Sequence, residues 1–210
     1  MIQSVLEGEL AIDFAFIKSS QGTSFVDPNA VENAKQMMAN GVEQIGFYHY
    51  CTPDKGTMAV DEANHFLNTV VSICREAGIM NPVALAVDFE GAATLQERYY
   101  TWLQMFITNL TLKSKTNPIL YCSQSIVPRA GLYLNVDKVG LWVARWNDKP
   151  GDVKGAPWKV TAFHQYKATS IDMDCFMGDE EQLKLYFQYF VNAMECDCDC
   201  NCCKAGKCEE

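Results

Sequence analysis

The feature that most constrains this chain is a repeated exchange of two periodicities. Apolar, β-prone runs alternate with segments whose apolar residues recur at helical spacing. IDFAFIKSS is the first such run, beginning at Ile12. PNAVENAKQMMANG follows, with Pro28 placed for a helix start and Gly41 for its end. QIGFYHYC reads as a second strand. TMAVDEANHFLNTVVSICREAG then sets Ala63, Phe66, Leu67, Val70, Ile73 and Cys74 on one helical face, with Gly78 as stop. PVALAVDFE is a third strand, continuously apolar as a strand covered on both faces should be. A helix with Leu95, Tyr99, Trp102 and Phe106 on one stripe comes next, then strands PILYCS, VGLWVARW and KVTAFHQY. A last helix, EEQLKLYFQYFVNAM, carries Leu183, Phe187, Phe190 and Met194, and such aromatic and Met stripes read as core.

Strand–helix alternation implies parallel strands joined by crossovers. An open doubly wound sheet would carry a Gly-rich phosphate turn after its first strand, and this chain has none. The Pro/Gly-rich stretch DKPGDVKGAPW separates the late strands where a helix would stand. The expectation is an α/β fold, an irregular TIM-like β/α barrel whose later crossovers have lost their helices. In such barrels chemistry gathers at the C-terminal strand ends.

Composition narrows the classes. With 210 residues, 49% of them apolar, the chain suits one buried domain, expected over residues 1–195. No apolar run approaches the roughly 20 residues of a membrane-spanning helix. A net charge of −9 without a cationic cluster argues against nucleic acid as partner. The opening MIQSVLEGEL has neither the basic nor the apolar region of an ordinary signal peptide. Of ten cysteines, Cys51, Cys74, Cys122 and Cys175 sit singly in apolar segments and read as small buried hydrophobes. The other six, Cys196 to Cys208, alternate with polar residues in a tail over 196–210 that cannot build a core. Soft-metal binding, disulfide pairing and no role all remain open for that tail.

The strand ends are rich in aromatics and carboxylates. VALAVDFE closes a wholly apolar strand with two acids. Side chains at i and i+2 share a face about 6.5–7 Å apart, so Asp88 and Glu90 project together. Like charges so close in a poorly solvated cleft raise one pKa, and a protonated acid beside an ionised one suits glycosidic bond cleavage. A divalent ion held by carboxylates with His49 or His164 is a weaker option, since the three histidines form no HxH or HExxH pattern. Nucleophilic catalysis by Cys51 with His49 is weaker still. No metal and no cofactor is expected.

These segments, together with GVEQIGFYHY, DEANHFLNTV, LWVARW and HQY…IDMDCFMG, stand in the order and spacing of the Chalaropsis-type lysozymes, glycoside hydrolase family 25, which the chain resembles from about Ile12 to Gly178. The resemblance implies an irregular β/α barrel and a muramidase. Such enzymes cut the β-1,4 bond between N-acetylmuramic acid and N-acetylglucosamine in bacterial peptidoglycan. It implies Glu90 as general acid and Asp88 as the carboxylate orienting the substrate's acetamido group. Asp172 is the late active-site aspartate it implies, with Asp174 the lesser candidate. Tyr48, His49, Tyr121, Trp142, Gln165 and Gln21 are the implied substrate contacts. Peptidoglycan is the implied partner and the cell wall the implied place of action. Two departures stand out. The family's opening GIDVS-like strand, with its aspartate, has no counterpart, and MIQSVLEGELA corresponds to the helix that follows it. Gln21 stands in KSSQG where the family commonly has Glu. A barrel lacking one strand is expected to show open edges and an unsealed core, with self-association at an edge or through the tail. The alternative function is a catalytically silent wall-glycan-binding protein.

Overall fold

The computed structural model describes residues 3–6, 9–169 and 171–191. Strands β1 (Gln3–Leu6) and β2 (Glu9–Ile12) form an antiparallel hairpin, not the helix that the resemblance implied for this stretch. β3 (Phe14–Gln21) and the short β4 (Phe25–Val26) lead into α1 (Ala30–Ala39). β5 (Gln44–Tyr50), α2 (Ala59–Ala77), β6 (Ala84–Asp88), α3 (Glu97–Ser114) and β7 (Ile119–Ser123) continue the alternation. After β7 only one turn of helix, α4 (Val127–Ala130), precedes β8 (Gly140–Ala144). No helix joins β8 to β9 (Phe163–Lys167), as the Pro/Gly-rich stretch predicted. β10 (Met173–Phe176) and α5 (Glu180–Lys184) complete the order.

Eight strands form one curled half-barrel sheet in the order β10-β9-β8-β7-β6-β5-β3-β4. Pairing is parallel from β3 through β9, and the two outer strands, β4 and β10, are antiparallel. The outer face packs on the helices. Leu85 and Val87 of β6 meet Phe66, Leu67 and Val70 of α2 and Leu103 and Phe106 of α3 in one buried cluster. Gly78 ends α2 at φ +76°, a left-handed conformation that favours glycine.

The inner face is sealed by aromatics. Small residues from the middle strands, among them Gly46, Ala84 and Ala86, leave room for large rings. A Cβ on Gly46 would lie 2.3 Å from the Phe16 ring. Phe163, fully buried, touches Phe14, Phe16, Phe176 and Tyr186 with ring centroids 5.1–5.4 Å apart. Leu183 and Phe187 close this cluster from the C-terminal side. The core is therefore not left unsealed as the resemblance implied.

Three further expectations need correction. The last helix stops at Lys184, because the backbone extends so that Tyr189 and Val83 exchange both hydrogen bonds. Leu183 and Phe187 are buried, whereas Phe190 is exposed, and Met194 lies outside the described residues. Leu95 precedes α3 and faces solvent. Cys51, Cys74 and Cys122 are buried free thiols, but Cys175 is only half-buried. The tail readings for Cys196 to Cys208 fall outside the described residues.

Phe163→Ala should cost about 3–5 kcal/mol in urea unfolding, as for other buried Phe truncations. Phe190→Ala should stay within about 0.5 kcal/mol. Equal losses would contradict this account of the inner core.

Candidate active site

The site follows from strand parity. On β6, Ala84, Ala86 and Asp88 turn inward while Leu85 and Val87 turn to the helices. Every residue of the strand is buried. Backbone pairing runs one step past the strand, with the Phe89 N–H donating to Tyr121 O at 3.0 Å and the Cys51 N–H to Asp88 O at 3.0 Å. Phe89 turns outward and meets Tyr100 edge-on at 5.3 Å. Glu90 keeps an extended backbone (φ −145°, ψ −176°), so its side chain returns to the inner face beside Asp88. Gly91 then reverses the chain at φ +55°, where a Cβ would lie 3.3 Å from the Tyr50 hydroxyl.

Register spreads the site across the sheet. Tyr50, Asp88, Tyr121 and Trp142 are successive lateral partners on β5, β6, β7 and β8. Around them lies a groove of about 240 Å³. Asp88, Glu90 and Asp172 line it, as do Tyr48, Tyr121, Trp142 and Gln165, so the structure brings seven of the nine sequence candidates together. Phe16, Ile171 and Asp174 line it too, and the first two were not singled out from the sequence. Phe16 sits on the same face of β3 as Lys18, and that alternation was available as a signal.

Gln21 and His49 do not line the groove. Gln21 accepts a hydrogen bond from Lys18 Nζ at 3.0 Å. His49 follows Tyr48 and so turns to the opposite face, where it is fully buried. Its Nδ1 lies 2.9 Å from Ser20 Oγ and its Nε2 2.9 Å from Glu62 Oε2. Glu62 also accepts from the Thr52 N–H, the Thr52 hydroxyl at 2.6 Å and the Thr57 hydroxyl. The order hydroxyl, imidazole, carboxylate looks like a hydrolytic triad, but Ser20, His49 and Glu62 are all at 0% exposure. No substrate reaches them, and the group instead ties β3 and β5 to α2. Burial lowers the His49 pKa. For Glu62 burial acts upward, yet the hydrogen bonds from His49, Thr52 and Thr57 outweigh it and the net direction is down. Cys51 is likewise buried, and burial pushes its thiol far from the thiolate, so the Cys51–His49 nucleophile has no support. His164 has both ring nitrogens engaged, by the Gly151 N–H at 3.1 Å and Arg145 O at 2.9 Å, which leaves neither for a metal.

Polar bonds fix the groove walls. Tyr121 donates its hydroxyl to Gln165 Oε1 at 2.9 Å. Trp142 donates its indole N–H to Asp174 Oδ1 at 2.6 Å and lies over Phe16 with centroids 4.6 Å apart. Asp174 is buried, whereas Asp172 stands exposed on the rim. Both late aspartates therefore face the groove, one as a wall support and one open to a ligand.

The acid pair is electrostatically loaded. Burial first, and the Glu90 charge second, push the Asp88 carboxyl well above the usual range, with Lys18 opposing. Asp88 Oδ1 is buried and has no hydrogen-bond partner among the described residues. Burial and Asp172 raise Glu90, again against Lys18. Burial and then Asp174 raise Asp172. Burial and the same acids hold the Tyr48 and Tyr121 phenols protonated. The groove thus keeps protons on carboxyls at pH values where exposed carboxyls have lost them.

The family model for glycosyl hydrolases family 25 matches residues 4–174, and the chain belongs to that family. "Uncharacterized protein YegX" of Escherichia coli O157:H7 is 27% identical over 196 residues, covering 88% of this chain and 66% of that protein. The chain thus spans about two-thirds of the length of the curated relatives it matches. A family GH25 lysozyme from Aspergillus fumigatus superposes with TM-score 0.69 at 22% identity, over 83% of this chain and 87% of that one. A muramidase from Trichobolus zukalii gives TM-score 0.67 at 21% identity, over 83% and 87%. These likenesses establish the fold.

A raised carboxyl makes folding favour the protonated state. The stability Asp88 contributes is complete below its ordinary pKa of about 4 and is lost as pH rises through the raised value. Asp88→Asn should therefore raise the unfolding midpoint at neutral pH and change it little below about pH 4. A midpoint difference independent of pH would show that the carboxyl is not perturbed.

Proposed function

We propose that this family-25 chain is a peptidoglycan muramidase that hydrolyses the β-1,4 bond between N-acetylmuramic acid and N-acetylglucosamine. The observation carrying this reading is the acid pair: Asp88 buried with an unbonded carboxyl oxygen, and half-buried Glu90 two residues on, facing one aromatic-walled groove. Glu90, its proton retained by burial and by Asp172, donates to the glycosidic oxygen as the C–O bond breaks. The substrate's acetamido oxygen attacks the anomeric carbon, and Asp88 Oδ1 accepts the acetamido N–H, which orients that group for the attack. Glu90, now ionised, takes a proton from water as the water opens the cyclic intermediate, which restores both residues. Asp172 on the rim adds to the field that keeps Glu90 protonated. Tyr48, Tyr121 and Trp142 offer ring faces, and Gln165 amide hydrogens, to the sugars. The wall of a bacterium is the corresponding place of action.

Loss of turbidity of a cell-wall suspension tests the assignment. Glu90→Gln should lower the rate by at least about 100-fold while the variant still sediments with insoluble peptidoglycan. Equal rates in wild type and variant would remove Glu90 from the mechanism. Binding by wild type without release of reducing ends would favour the silent glycan-binding alternative.

Lys18 is the cation that draws both acids downward. Lys18→Met should therefore move the alkaline limb of the pH–rate profile upward, because the proton on the acid is then lost only at higher pH. A downward or absent shift would contradict the electrostatic account.

A further inference from the structure

Beyond the groove stands an aromatic side chain that neither the core nor the acid pair uses. Trp146, two residues past β8, leaves 67% of its surface in water, although indole is among the side chains that gain most from burial. Its N–H is nonetheless fixed, donating to Gln165 Oε1 at 2.8 Å. Gln165 lines the groove, is only 4% exposed, and accepts the Tyr121 hydroxyl at the same oxygen. Two donors occupy both lone pairs of that oxygen, so the amide is held in one orientation. The indole edge lies one hydrogen bond from the groove wall.

The backbone under Trp146 is clamped as well. The Arg145 N–H donates to Gln165 O at 3.0 Å, and the Asn147 N–H to Tyr166 O at 3.0 Å. Fully buried His164 bridges the two ends of this turn: Arg145 O lies 2.9 Å from its Nε2, and its Nδ1 accepts the Gly151 N–H at 3.1 Å. With Nδ1 accepting, the ring proton sits on Nε2 and is donated to Arg145 O. A flat apolar plate, exposed yet fixed in direction, pays little ordering cost when a ligand covers it. Ile171, lining the groove and 56% exposed, adds apolar surface to the rim.

We propose that Trp146 is a sugar-stacking platform, an additional subsite that receives the C–H face of a pyranose ring adjacent to the pair being cleaved. This rests on the muramidase reading and extends it to a glycan strand longer than a disaccharide. The negative ring face of indole suits the polarised C–H bonds of such a sugar.

The test is binding of peptide-free glycan oligomers of two and four alternating N-acetylglucosamine and N-acetylmuramic acid residues, with Glu90→Gln as parent to prevent turnover. In the parent the four-ring oligomer should bind more tightly than the two-ring one and change the tryptophan fluorescence. Adding Trp146→Ala should weaken four-ring binding about tenfold and leave two-ring binding unchanged. Adding Trp146→Phe, which keeps a ring without the N–H, should lie between the two and lose most of the fluorescence change. Unaltered four-ring affinity in the alanine variant would overturn the subsite. So would an equal loss for both lengths, which would mark a merely structural effect through Gln165. In both cases the parent's own binding leaves the muramidase reading standing. A parent that binds neither oligomer would overturn both.

Discussion

A carboxyl group carried into the interior by an apolar strand is the constraint on which the rest of this molecule depends. β6 is buried along its whole length, and its last inward position is an acid with no hydrogen-bond partner for one oxygen among the described residues. Burying an ionised carboxylate without partners is costly enough that the group takes up a proton instead. Glu90 acting on Asp88, the rim residue Asp172 acting on Glu90, and the wall residue Asp174 acting on Asp172 work in the same direction within one groove. Lys18, held over the Tyr50 ring at 5.2 Å and bonded to Gln21, limits the effect. The fold thus holds a destabilising feature in place, as functional sites commonly do.

What holds it is the arrangement behind the sheet and inside it. Behind, the helices bury the outward residues of β5 and β6, and the Ser20–His49–Glu62 group locks β3 and β5 to α2 with bonds of 2.9 Å. Inside, Phe14, Phe163 and Phe187 fill the curl of the half-barrel below the groove. The sheet has two antiparallel edge strands and is not closed on itself among the described residues, yet the interior is filled because rings of the C-terminal segment occupy it.

Much of this was legible in the residues. Apolar runs of strand length, separated by helix-period segments, made β3, β5 to β9 and the helices α1 to α3 legible because each segment's pattern agrees with its place in the fold. The two-residue β4 and the single turn α4 are too short to carry a period. The acid pair was legible for the same reason: an uninterrupted apolar strand has to be buried, and parity then places i and i+2 together. His49 is set apart from Tyr48 by parity alone, since alternation turns it outward. The other differences come where parity or length is set by an irregularity in pairing or by distant contacts. Gln21 sits beyond an irregularity in β3, where the pairing slips between Lys18 and Ser20 and the simple count no longer tells which way a side chain points. The final helix was overextended because its stripe continued, and only the pairing of Tyr189 with Val83 shows why the backbone leaves it. The inner aromatic cluster depends on contacts between β3, β9 and the C-terminal segment, which lie far apart in sequence.

The central claim is that the strand end keeps a proton in the groove at a pH where free carboxyls are ionised. Carbon-13 NMR titration of the Asp88 and Glu90 side-chain carboxyls, assigned with Asp88→Asn and Glu90→Gln, measures this directly. The account predicts that both carboxyls titrate above the ordinary carboxylate range of about 4, and that removing Glu90 lets Asp88 titrate at lower pH. Two titrations near pH 4, with Asp88 indifferent to loss of Glu90, would contradict it.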